Sequence, residues 1–210
     1  MNTPMILISI FVLIYSVVLH EVAHAKTALI FGDDTAQKLG RITFNPIPHL
    51  DIVGSILIPG FLIMIGSPFL MGWAKPVLIR PENFKNPTKD MMWVSISGPL
   101  TNISIAIIAS IVLKIVFLFN PTATIFWRYA VFALVSFVQI NIVLAVFNLI
   151  PIPPLDGSGL LEYFLPPRYK LIYSRIEPYG MLILLGLIYF GIIGMLLELV
   201  LTPVLGFLIG

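Results

Sequence analysis

The sequence predicts an all-α polytopic membrane protein, and three observations carry that prediction. Of 210 residues, 59% are hydrophobic and only 10% are charged, where a soluble domain carries about 45–50% apolar and about 25% charged residues. The mean hydropathy is +1.03. The apolar residues also gather into stretches near the ~20 residues that a spanning helix needs. The net charge of +2 gives no basis for nucleic-acid binding, and the absence of Cys excludes disulfide and thiolate chemistry.

The first stretch, 5–30, follows "MNTP", which has neither a positive n-region nor a small-residue cleavage site, so a retained span is expected rather than a signal peptide. The second, 52–72, carries Pro59-Gly60 and Gly66-Ser67-Pro68. Proline removes a backbone donor and glycine loosens a helix, so this segment reads as broken or re-entrant. Segments 93–119, 128–150 and 178–201 read as spans. The tail "LTPVLGFLIG" is too short to cross after Pro203 and is expected at the interface. No repeat or low-complexity tract is present.

Lys and Arg decide how 52–72 is used. If it crosses, the two faces carry five and seven basic residues; if it returns to the same side, the split is ten against two, Lys114 and Arg128. Basic residues mark the cytoplasmic side. Four transmembrane helices plus one re-entrant segment are therefore expected, with the N-terminus outside.

Within the first span lies HEVAH, residues 20–24. Positions i and i+4 share one helical face, so His20 and His24 can offer two imidazole nitrogens to one ion, with Glu21 beside it as a general base on water. Ionisable residues inside a span are costly and are usually functional; the bland alternative is a polar cluster at the membrane boundary. A catalytic zinc takes a third protein ligand. Asp156, in "NLIPIPPLDGSG", follows a span that Pro151, Pro153 and Pro154 must unwind. Read alone, Asp156 serves equally as a ligand lining a polar cavity or as the N-cap of the next turn.

Together, HEVAH and N-L-I-P-I-P-P-L-D-G at 148–157 resemble the site-2 protease family, the intramembrane zinc metalloproteases. "GWAKPV" at 72–77, "NPIPHLD" at 45–51 and "SGPLTN" at 97–102 support the match, which runs from about 10 to 165. The resemblance is to the short prokaryotic form without PDZ or CBS domains. It implies one integral-membrane metalloprotease domain over 1–210, with a core at about 5–165. It further implies one Zn²⁺ held by His20, His24 and Asp156, Glu21 as base, and Asn148 assisting at the scissile carbonyl. Segment 73–80 resembles the family's short membrane-inserted β-hairpin, which presents an edge strand to the substrate. The implied partners are the bilayer and a transmembrane or membrane-anchored protein substrate. The implied location is a prokaryotic cell membrane, with the site towards the cytoplasm.

Three further polar residues have two readings each. His49 and Asp51 either line the entrance or orient a ligand, or else form a polar turn. Asn102 either serves the site or, more simply, bonds a neighbouring helix. A metal transporter would show repeats and charges across several spans, whereas here the intramembrane polar residues concentrate in two motifs. A catalytically silent scaffold would be indifferent to Glu21.

Overall fold

The protein is described here by a computed structural model covering residues 3–58, 61, 64, 73–119 and 124–209. Its main helices are α1 (Thr3–Ile30), α2 (Pro87–Leu118), α3 (Ile125–Asn148), α4 (Gly157–Phe164), α5 (Pro167–Ile176), α6 (Gly180–Tyr189) and α7 (Ile192–Ile209). Among the described residues five helical stretches are long and apolar enough to cross a membrane: α1, α2, α3, the continuous Pro167–Tyr189, and α7. Large apolar side chains such as Leu7, Ile108, Leu118, Leu182 and Phe207 stay exposed on their outer faces, as lipid-facing residues do.

Helix α2 is central and packs against α1, α3, α4 and α7. Its buried stripe explains how. Gly98, Asn102, Ala106 and Ser110 recur every four residues and are all buried, so neighbouring backbones can approach closely, as small residues permit in apolar helix pairs. Helix α1 answers with buried Ser16, Ala25 and Ala28. Asn141 Nδ2 of α3 donates to Ser16 Oγ at 2.8 Å, both residues fully buried, and ties α3 to α1.

The C-terminal region differs from expectation. Segment 178–201 is not one span: Gly191, in the left-handed region at φ 73°, breaks it into α6 and α7. The tail is not a separate segment. It continues α7 through Pro203, and Leu208 packs on Ala106, Ala109, Val138 and Ile142. Ser110 Oγ donates to the Leu208 carbonyl at 2.6 Å and Lys114 Nζ to that of Phe207 at 3.2 Å. These donors satisfy carbonyls that a helix end leaves unpaired. Ile193, at the other end of α7, packs on Ile150 and Leu155, so α7 runs antiparallel to α3.

The expected re-entrant segment 52–72 lies largely outside the described residues; its start, Ile52–Leu57, is a π-helical turn. The expected β-hairpin is not observed, since no strand occurs among the described residues. Residues 73–80 form neither helix nor ladder. The physical reason is that their polar groups bond to loops and side chains. The amides of Trp73, Lys75, Val77 and Arg80 reach the Gly54 carbonyl, the His49 carbonyl, Glu21 and Asp33, and Pro76 has no amide hydrogen to give.

Candidate metal centre

His20 and His24 lie one turn apart on α1, both buried. Their outer nitrogens are fixed by α2: His20 Nδ1 donates to Asn102 Oδ1 at 3.0 Å, and His24 Nδ1 to the Val94 carbonyl at 2.7 Å. Both acceptors lack a proton to return, so each ring keeps its hydrogen on Nδ1 and turns an Nε2 lone pair inward. The two Nε2 atoms are 3.0 Å apart.

Asp156 completes the group. The prolines end α3 and the chain folds back tightly: Ile152 donates to the Ile150 carbonyl and Leu155 to that of Ile152. Gly157 makes this fold possible, because a Cβ there would collide with the Leu149 and Ile150 backbone. Gly159 lets α4 cross α2 closely, since its Cβ would collide with Ser95 Oγ. Asp156 occupies the N-cap position of α4 yet makes no side-chain capping bond. Its carboxylate faces the histidines instead, with Oδ2 3.1 Å from His20 Nε2 and Oδ1 3.3 Å from His24 Nε2. Asp156 Oδ2 is buried and takes no hydrogen bond.

Two imidazole lone pairs and a carboxylate thus converge, with all ligand atoms within 4.8 Å of one another. Such a set of acceptors repels itself unless a cation lies among them. Zinc ligands at about 2.0–2.1 Å in tetrahedral array lie about 3.3 Å from each other, close to the separations here. The donor types, two His and one carboxylate, are those of catalytic zinc, with the fourth position left for water. Gly98 makes the room: a Cβ there would collide with His24 Nε2 and lie 2.6 Å from His20 Cε1. The sequence's signal for Gly98 is its place in "SGPLTN", four residues before Asn102 on the same helix face.

The remaining candidates divide. Asn102 is fully buried and bonds a ligand histidine, so its bond to a neighbouring helix and its relation to the site are the same contact. Glu21 Oε2 accepts the Val77 amide at 2.9 Å. Asn148 turns its amide back onto the Leu144 carbonyl of its own helix at 2.9 Å and makes no bond to the three ligands. His49 is buried, with its ring on the Thr43 carbonyl at 3.1 Å. Asp51 caps the Ile52–Leu57 turn by accepting the Gly54 amide at 2.7 Å. Neither His49 nor Asp51 bonds to the ligand trio. Two residues with no forecast role bond to the 73–80 segment that also bonds Glu21: Asp33 and Arg41, both buried.

A bundle of helices long and apolar enough to cross a membrane, enclosing a His-His-Asp cluster able to hold a metal ion, has the make-up of an integral-membrane metalloenzyme. The comparisons make this particular. The model of peptidase family M50 matches residues 115–191. The chain is 39% identical over 176 residues to the protein named "Putative zinc metalloprotease YwhC" of Bacillus subtilis, covering 83% of this chain and 77% of that one. It is 30% identical over 190 residues to "Putative zinc metalloprotease Rip2" of Mycolicibacterium smegmatis, covering 88% and 70%. No solved structure matches. The chain belongs to peptidase family M50, the site-2 protease family of metalloproteases.

Proposed function

We propose that this protein is an intramembrane zinc endopeptidase that hydrolyses peptide bonds of transmembrane or membrane-anchored substrates, with Glu21 as base. The observation that carries the reading is the convergence of His20 Nε2, His24 Nε2 and the Asp156 carboxylate. One zinc ion fits that set. When bound, zinc would supply Lewis acidity that polarises a carbonyl and lowers the pKa of water to about 7.

The protein's own residues supply the rest. Glu21 takes the proton of the attacking water and returns one to the leaving amine. Asn148, whose Nδ2 rests on the Leu144 carbonyl, turns that donor to the scissile carbonyl as charge develops there. A helical substrate hides its carbonyls in i to i−4 bonds. It must unwind locally to expose the scissile carbonyl before attack. The excess of basic residues in the connectors 31–51 and 73–92 supports a site towards the cytoplasmic side of a prokaryotic cell membrane.

The test is cleavage of a single-span substrate in liposomes by the wild type and by Glu21→Gln, with and without a zinc chelator. Cleavage lost under both treatments supports the reading. Cleavage that survives Glu21→Gln sinks it. Intact substrate together with protein that binds no zinc would move the assignment to a silent scaffold.

A further inference from the structure

Arg41 is one of the few buried charges in the molecule, 7% exposed, and the local sequence places it there. The turn Thr35–Lys38 ends at Gly40, which takes the left-handed conformation at φ 67°. The Gly40 amide bonds the Gln37 carbonyl and the Arg41 amide that of Ala36. This is a Schellman motif with Gly in its required place and Arg41 directly after it. The motif turns the side chain inward. Among the described residues no carboxylate lies within ion-pair distance of Arg41. Burying a guanidinium without such a partner is costly.

What Arg41 holds instead is backbone. Nη2 donates to the Lys75 carbonyl at 2.6 Å and approaches the Pro76 carbonyl at 3.4 Å. The next amide in the chain, that of Val77, is the one bonded to Glu21 Oε2. Lys75 is also held on its amide side, by the His49 carbonyl at 2.9 Å. The Pro76 carbonyl and the Val77 amide belong to one planar peptide unit, so a donor on that carbonyl constrains where the amide points. The carboxylate whose field Arg41 feels is Glu21. Among the described residues Nε of Arg41 is buried without a hydrogen-bond partner, and Nη2 makes the guanidinium's contacts.

We propose that Arg41 is a positioning residue for Glu21: by clamping Lys75 and Pro76 it aims the Val77 amide at Oε2 and fixes the carboxylate for proton transfer. The proposal rests on the reading of Glu21 as the base. Residues that orient a reacting group through one intermediary are worth about 10–100-fold, and groups acting as one unit are strongly non-additive.

The experiment is a double-mutant cycle on the full chain in liposomes with a single-span substrate. Zinc content normalises the active fraction. Arg41→Gln should lower kcat by about 10–100-fold with KM little changed. In a Glu21→Asp background, whose shorter carboxylate no longer meets the Val77 amide, the same substitution should cost less than about threefold. Arg41→Lys, which keeps the charge and loses the planar fork, should fall between; it decides by the same cycle if Arg41→Gln does not fold. A rise in KM with unchanged kcat, or equal losses in both backgrounds, overturns the proposal. Full activity of Glu21→Gln would fail the functional reading itself, and that single variant tells the two failures apart.

Discussion

Replacing Gly98 by Ala should disable the metal centre while leaving the bundle folded. A Cβ built on Gly98 sits 2.7 Å from His20 Nε2 and 2.6 Å from His20 Cε1, and collides with His24 Nε2. Ordinary contacts between such atoms need about 3.5 Å, so the rings must retreat by roughly 0.8 Å. Their freedom is small. Each is tied at Nδ1 to α2 itself, through Asn102 and Val94, the helix that carries the new methyl. Metal sites accept ligand displacements of only about 0.2 Å. The expected loss of zinc affinity is at least about 100-fold, or about 2.7 kcal/mol. Competition against a chromophoric chelator in detergent micelles measures it. Gly194→Ala is the control, since a Cβ there meets nothing within 4 Å; it should keep zinc affinity and gain a few tenths of a kcal/mol of helix stability. If Gly98→Ala binds zinc within about threefold of wild type, the packing argument for the site is wrong.

Three other outcomes follow from the same geometry. Asn102→Leu removes the acceptor that holds His20 Nδ1 and should weaken zinc binding by about 10–100-fold, read in the same competition assay. Gly157→Ala pushes a methyl into the Leu149 and Ile150 backbone and should destabilise the protein by about 1–3 kcal/mol, with loss of zinc, measured by thermal unfolding with and without the metal. Asp33 lies beyond the end of α1; burial raises its pKa, but bonds from Thr35, the Arg80 amide and Asn83 outweigh that and carry it below the ordinary 3.8. A lowered folded-state pKa stabilises above the unfolded value and is lost as pH falls through the folded one. The stability gap between wild type and Asp33→Asn should therefore be full at neutral pH and close below pH 3.8, by thermal unfolding across pH.

What depends on composition and spacing is legible in the sequence. Apolar runs fixed the helical membrane class because the bilayer interior tolerates only internally bonded backbone. The i, i+4 spacing of His20 and His24 set two ligands on one face, and the prolines before Asp156 required the chain to leave the helix there. Only the tertiary structure, with α4 placed against α2, shows the Asp156 carboxylate uncapped and facing α1. It also decided what sequence spacing cannot carry. The 73–80 segment bonds to Glu21, Asp33 and Arg41 rather than to a second strand, because the partners of its backbone groups come from residues about 20–55 positions earlier in the chain. The break at Gly191 was invisible because the hydropathy of 178–201 is continuous across it, and a glycine's φ is chosen by packing. Gly98 carries no chemistry that a motif could flag; it matters only as the absence of a Cβ where two histidines from another helix meet.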